Sequence, residues 1–299
     1  MDKPVFIMMC GLVASGKSYK AKELAKDYDA TIFSSDDLRE ELFGDVNNQE
    51  HNQEVFTELH RRIKECLRNG KSAIYDACNI SYKRRMGFIQ ELKNIPCEKI
   101  CVLMATPYEK CIERNKLRER KVSEDIIKRM YMNFWVPAWF EGWDDIQVKY
   151  CENSIGYYGT VKDFLNNYKN YDQHNSHHKC TLSDHCKLAY DYLINENNIL
   201  KYAALMHDCA KPEAATFINK KNEVTKECHY YNHQNMAGLK SLFYRYENVH
   251  PLDVAILCCW HMQLYFIKEE KTLNKYKNIW GQDLYENLLK LHEADINAH

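Results

Sequence analysis

The segment Gly11-Leu-Val-Ala-Ser-Gly-Lys-Ser18 fits the pattern G-x-x-x-x-G-K-[ST], and it limits the fold around it more than any other stretch of the chain. It follows the apolar run Val5–Cys10 and opens a helical pattern at Lys17. A glycine-rich turn between a buried strand and a helix lets successive backbone N–H groups point inward, and the positive end of the helix faces the same spot. The expected ligand is a nucleoside triphosphate, ATP with Mg²⁺. Gly11, Ala14, Ser15 and Gly16 would form the cradle, Lys17 would reach the β- and γ-phosphates, and Ser18 would ligate the Mg²⁺.

Around this loop the chain alternates. Short apolar runs at 31–34, 72–75, 100–105 and 146–150 read as further strands, separated by helical patterns that start near Lys17, His51, Ser81, Pro107 and Ser123. Ser123 offers a capping hydroxyl, Glu124 and Asp125 suit the helix start, and Gly70 suits a helix stop. Strand–helix alternation predicts an α/β domain over 1–152, with a parallel sheet flanked by helices and ligands at the carboxyl ends of its strands. The polar, asparagine- and tyrosine-rich stretch 153–170 reads as a linker. Residues 171–299 read as almost entirely helical, over 182–195, 200–210, 232–246, 251–262 and 282–298, with one hairpin at 215–225. Of 13 histidines only His51 and His60 precede residue 174, which places any histidine-based metal site in the second domain.

A phosphate cradle does not say where the phosphate goes. The second strand ends in Ser35-Asp36-Asp37-Leu38-Arg39. A carboxylate there can orient an acceptor hydroxyl and take its proton, and Arg39 one turn on can clamp an acceptor phosphate. Asp36 and Asp37 can also serve as helix caps, and with two present one of them is free for that. Further on come Tyr75-Asp76-Ala77-Cys78-Asn79, Lys83-Arg84-Arg85 and Arg114-Asn115 with Arg118 and Arg120. Together these segments resemble the 5′-hydroxyl polynucleotide kinases of phage and bacterial end-repair enzymes, over about residues 4–150. The resemblance implies Asp36 as general base, Arg39 on the acceptor phosphate, and Arg114 and Arg118 as lid cations over the ATP phosphates. Asp76 and Arg85 are expected on the acceptor side. The aromatic group Trp135, Trp139, Phe140 and Trp143 reads as core.

The second half carries His207-Asp208 within LMHDCAKP, His185 one helix earlier and Asp295 in the last helix. Two imidazoles and two carboxylates suit one or two hydrolytic transition-metal ions, Mn, Fe, Co, Ni or Zn, better than Ca. This ordered set resembles the HD phosphohydrolase superfamily, nearest to the HD domains of bacterial transfer-RNA nucleotidyltransferases and end-healing enzymes, over about 171–299. The tracts T-L-x-x-H, L-x-H-D-x-x-K-P, H-x-Y-x-H at His229–His233 and W-H-M at Trp260–Met262 carry it. It implies an all-α HD domain with Asp208 catalytic, His233 and His261 as further metal ligands, and Lys211, His178 and His229 binding phosphate.

The expected activity is nucleic-acid end healing: a 5′-hydroxyl is phosphorylated and a 2′,3′-cyclic or 2′/3′-phosphate removed. RNA or DNA ends would be the substrate, an RNA ligase is a compatible partner, and a homo-oligomer is allowed. The alternatives are a nucleoside or nucleotide kinase fused to a nucleotidase, and a nucleotide-sensing switch with a non-catalytic second domain. A net charge of −1 gives no global basic field, so nucleic acid would have to be held by local patches. Thirteen scattered cysteines without C-x-x-C read as reduced core thiols, which with no membrane-length apolar run predicts a cytoplasmic protein.

Overall fold

The structure, a computed structural model, describes residues 3–176 and 179–298. It divides into two units that are discontinuous in sequence. The first comprises Met1–Val122 and Pro137–Cys151, and the second Ser123–Val136 and Glu152–His299.

The first unit is a five-stranded parallel sheet in the order β2-β3-β1-β4-β5, from β1 (Val5–Cys10), β2 (Ala30–Ser34), β3 (Ser72–Asp76), β4 (Glu98–Ala105) and β5 (Asp145–Tyr150). Strand β1 is central because VFIMMC has no polar face to expose; Phe6 through Cys10 are buried, as a strand covered on both sides requires. The register sets Ile7 opposite Ile74 on β3 and Ile100 on β4. Helices α1 (Lys17–Asp27), α2 (Ser35–Phe43), α3 (Asn52–Arg68), α4 (Tyr82–Glu91) and α5 (Tyr108–Lys116) follow the strands. In α3 the residues Val55, Leu59, Ile63 and Leu67 recur every four positions and are the buried face. The carboxyl ends of β3 and β4 therefore flank the loop that leaves β1.

Among its described residues the second unit is helical apart from one two-stranded ribbon and an isolated parallel bridge between Thr160 and Arg245. Its helices are α6 (Glu124–Met132), α7 (Val161–Asn167), α8 (Leu182–Tyr192), α9 (Asn198–Met206), α10 (Lys211–Ala214), α11 (His233–Ser241), α12 (Pro251–Trp260), α13 (Gln263–Phe266), α14 (Glu270–Trp280) and α15 (Gln282–Asn297). The ribbon pairs β6 (Ala215–Ile218) with β7 (Val224–Tyr230), at the hairpin read from the sequence. Helix α12 is apolar all round and buried from Val254 to Trp260, the mark of a central helix. Gly238 lets α11 close on it, because a Cβ there would stand 2.7 Å from Cys259 Cβ and 3.1 Å from Ala255 O. Helices α8, α9 and α15 pack on one another, and α9 also packs on α12. Thr181 and Asn197 cap α8 and α9 by accepting from Asp184 N and Leu200 N.

Two boundaries differ from the sequence reading. The stretch 153–170 is no free linker: Tyr158 packs on Phe243 and Tyr244, and Phe164 is fully buried against Tyr244. The segment at 123–136 groups with the second unit, because Ile127 and Tyr131 of α6 are buried there and Trp135 lies 4.4 Å from Trp260, ring to ring. Ser123 occupies the N-cap position of α6, but its hydroxyl makes no capping bond. Trp139, expected in the core, is 48% exposed. Among the described residues no helix is long and apolar enough to cross a membrane.

Candidate functional site

The loop after β1 is shaped by its glycines. Gly16 sits at φ 98°, in the left-handed region, immediately before α1. A Cβ on Gly11 would stand 2.6 Å from Ser15 Oγ and 3.1 Å from Met104 Cβ, so any larger residue would push these neighbours aside. Lys17 is 8% exposed, and its Nζ donates to Leu12 O at 2.7 Å, folded over the loop it would share with phosphates. Ser15 Oγ is buried without a hydrogen-bond partner. The Arg114 guanidinium lies 4.0 Å from where a Gly16 Cβ would stand. Arg118 is exposed, with no ion pair among the described residues.

Asp36 opens α2 at the end of β2. Its Oδ1 accepts from Arg39 at 2.9 Å, and its Oδ2 accepts from Arg120 at 2.7 Å. Arg39 is 4% exposed, is further fixed by Asn52 Oδ1 at 2.8 Å, and keeps its Nε without a partner. Arg120 also donates to Asn47 Oδ1 and Val46 O, at 2.9 and 3.1 Å. The cationic cluster at 114–121 gave a signal for Arg120, but its pairing with Asp36 was not foreseen. The capping question is settled by Ser34, whose hydroxyl accepts from Asp37 N, so the Asp36 carboxylate is not the cap.

The two residues expected on the acceptor side differ in setting. Asp76 at the end of β3 is buried; burial pushes its carboxyl up, and the neighbouring Ser18 hydroxyl and the Lys17 charge pull against that. It therefore stands beside the residue expected to ligate Mg²⁺. Arg85 is not available to an acceptor. Its Nε and Nη2 make a fully buried two-pronged pair with Glu141, at 2.7 and 2.6 Å, and Nη1 donates to Asn79 O at 2.8 Å. Arg85→Ala is accordingly expected to lower stability by about 3–5 kcal/mol by stranding the Glu141 charge. Urea unfolding measures this; a variant of unchanged stability but weakened acceptor binding would contradict the structural role.

In the second unit four imidazoles face two carboxylates. Each ring is oriented by a backbone carbonyl at its Nδ1: His185 by Ala298 O at 2.8 Å, and His207, His233 and His261 by Ala204 O, Tyr230 O and Cys258 O, each at 2.7 Å. With Nδ1–H donating outward, Nε2 is the ring atom each histidine turns inward, the one that can bind a metal once it has given up any proton it carries. The Nε2 atoms of His185 and His207 are 3.1 Å apart, and those of His233 and His261 are 3.2 Å apart. Lone pairs that close repel unless a cation or proton lies between them. Asp208 joins the two pairs. Its Oδ2 lies 3.4 and 3.2 Å from His185 and His207, and its Oδ1 lies 3.1 and 3.8 Å from His233 and His261. Asp295 Oδ1 lies 3.1 and 3.5 Å from His185 and His207.

Two ligand groups result, His185–His207–Asp208 and Asp208–His233–His261, each with its donor atoms within 4.8 Å of one another. Burial opposes charge on His207, and Asp208 and Asp295 overcome it, raising the ring to about 10. His261 goes the other way: burial, His207 and His233 push it down to about 3. Local chain geometry explains the convergence. His207 and His261 extend the carboxyl ends of the packed helices α9 and α12, and His233 opens α11.

Lys211 joins this cluster, with Nζ 2.6 Å from Asp208 Oδ2 and 2.8 Å from Gln173 Oε1. His229 is engaged elsewhere, with Thr225 Oγ1 at 3.1 Å and stacked on Tyr231, and among the described residues no contact ties it to the cluster. His178 lies outside the described residues. Tyr265, which donates to Asp295 Oδ2 at 3.0 Å, was not anticipated, nor was the contact by which Gln173 holds Lys211.

Comparison with known proteins bears on the first unit. Residues 6–137 match the family described as AAA domain. The chain is 27% identical over 168 residues to L-seryl-tRNA(Sec) kinase of Methanococcus maripaludis, covering 54% of this chain and 65% of that protein. It thus spans a little under two thirds of that relative's length. Among solved structures, a Pnkp1/Rnl/Hen1 complex aligns at 19% identity and TM-score 0.36, covering 41% of this chain and 42% of the other. A putative kinase from Chloroflexus aurantiacus J-10-fl aligns at 17% identity and TM-score 0.42, covering 50% and 86%. With a phosphate loop at the carboxyl end of a central parallel strand and a sequence match over 6–137, the first unit is an α/β P-loop kinase-like domain.

Proposed function

We propose that this chain heals broken nucleic-acid ends, phosphorylating a 5′-hydroxyl in its first unit and removing a 2′,3′-cyclic or 2′/3′-phosphate in its second. The observation that carries the reading is the second unit's donor set: four Nε2 atoms turned inward about one shared carboxylate, Asp208, in a chain that also holds a P-loop kinase-like domain. The ordered residues His185, His207, Asp208 and Asp295 fit an HD-type phosphohydrolase.

In the kinase half, the Asp36 carboxylate takes the proton of the acceptor hydroxyl as its oxygen bonds to the γ-phosphorus. The bond from that phosphorus to the β–γ bridging oxygen breaks, and ADP leaves with the electron pair. Lys17 and Arg114 offset the charge that develops, and Arg39 binds the acceptor's neighbouring phosphate. Ser18 would hold the Mg²⁺ of ATP, with Asp76 beside it orienting the hydroxyl.

In the second half, His185, His207, Asp208 and Asp295 would hold one divalent transition metal, and Asp208, His233 and His261 a second. Such ions supply electrophilic activation of a phosphate and a nucleophile at neutral pH. The backbone carbonyls fix the imidazoles, and Lys211 brings a buried positive charge for a phosphate oxygen. A relative named for a seryl-tRNA acceptor supports an acceptor that includes RNA.

The test is a short RNA with a 5′-hydroxyl and a 2′,3′-cyclic phosphate, incubated with γ-labelled ATP, Mg²⁺ and Mn²⁺. Label at the 5′ end together with loss of the 3′-terminal phosphate is the expected result. Label passing only to free nucleosides would replace this reading with a nucleoside kinase joined to a nucleotidase.

A further inference from the structure

Asp295 meets the histidine cluster through one oxygen. Oδ1 stands 3.1 Å from His185 Nε2 and 3.5 Å from His207 Nε2, while Oδ2 accepts from the Tyr265 hydroxyl at 3.0 Å. Tyr265 belongs to α13, a short helix with no buried residue, and its ring is held edge-on against His292 with centroids 4.3 Å apart. The two halves of the cluster also differ in donors. Around the first stand four: the Nε2 atoms of His185 and His207, Asp208 Oδ2 and Asp295 Oδ1. Around the second stand three: the Nε2 atoms of His233 and His261 and Asp208 Oδ1.

We propose that Tyr265 is a positioning residue that holds Asp295 as a one-oxygen ligand and so makes the first half the tighter of two divalent-metal positions. The proposal rests on the metal-centre reading above. A carboxylate free to rotate can chelate through both oxygens or turn away; a phenol donating to Oδ2 removes both choices and aims Oδ1 at the imidazoles. Outer partners of this kind change metal affinity by roughly 10–100-fold. The second half, with three protein donors, keeps coordination positions open for phosphate oxygens, as a reacting position must.

The experiment is calorimetric titration of the chelator-stripped full chain with Mn²⁺, with bound metal counted by mass spectrometry. Wild type should show two classes of site. Tyr265→Phe should weaken the tighter class by roughly 10–100-fold and leave the weaker one in place. His261→Ala should remove only the weaker class. His292→Ala, which takes away the ring beside Tyr265 but leaves its hydroxyl, should retain the tight class. Thermal unfolding in chelator should be the same for wild type and Tyr265→Phe. Wild-type binding by Tyr265→Phe overturns the positioning role while the metal centre stands. Equal weakening in Tyr265→Phe and His292→Ala, or weakening of both classes together, assigns the effect to packing and also overturns it. If wild type takes up no Mn²⁺ that His207→Ala abolishes, the metal-centre reading and this proposal fall together.

Discussion

Asp208→Ala should abolish removal of the 3′-terminal phosphate, by about 10³-fold or more, while 5′-phosphate transfer proceeds at the wild-type rate. The size follows from what the side chain joins. Among the described residues Asp208 is the carboxylate within reach of all four inward-facing imidazoles, so its loss breaks both ligand groups at once. Residues that act as a unit lose nearly the whole effect when one is removed. The carboxyl is ionised as it stands: burial pushes it up, but His207, Lys211 and His185 hold it well below the ordinary range. Removing it also strands Lys211, whose Nζ lies 2.6 Å from Asp208 Oδ2, so some stability is lost as well. Asp208→Asn separates the two effects, since it keeps the shape and an acceptor for Lys211 but not the charge that would hold a metal. Resolving both RNA ends on one gel measures the two activities together. Phosphate removal that survives in Asp208→Asn would sink the metal-centre reading, and a parallel loss of kinase activity would sink the claim that the two chemistries use separate residues.

The parts of the molecule legible in the sequence are those fixed by backbone chemistry or by residues that must converge. Gly16 at φ 98° and the apolar run of β1 leave little choice, so loop, strand and helix emerge where the pattern puts them. The histidines were legible because they stand in a fixed order around the adjacent pair His207-Asp208, with His185 before it and His233, His261 and Asp295 after it. Arg85 was misread for a reason the local sequence cannot supply. Within Lys83-Arg84-Arg85 nothing tells which cation will meet Glu141 in a 3₁₀ turn 56 residues on, and the pair is invisible until the chain closes. The helix at 124–132 has a buried face, Ile127 and Tyr131, that would suit either core, so periodicity finds the helix but not the unit it joins. Tyr265 lies in the run Gln263–Phe266, where a tyrosine reads as packing, and only its hydroxyl's place beside Asp295 gives it another role.

Asp36→Asn should slow phosphate transfer by about 10²–10⁴-fold, the usual cost of losing a positioned general base, while leaving ATP binding intact. Three observations separate this from a structural effect. Helix α2 is capped by Ser34 through Asp37 N, so its start does not depend on the Asp36 carboxylate. The Asp36 side chain is 47% exposed, where its ion pairs with Arg39 and Arg120 contribute little to stability. Arg39 keeps Asn52 Oδ1 and Ser35 O, and Arg120 keeps Asn47 Oδ1 and Val46 O, so neither arginine is released when Asp36 loses its charge. Lys17→Ala is the counterpart: its Nζ sits on the loop itself, so it should lose triphosphate affinity as well as rate. Binding of a fluorescent ATP analogue, the thermal midpoint and single-turnover transfer to a 5′-hydroxyl RNA give the three readouts. An Asp36→Asn enzyme that transfers phosphate at the wild-type rate shows that another group takes the proton. One that fails to bind the analogue shows that the two arginines, freed of their anion, have rearranged the phosphate cradle instead.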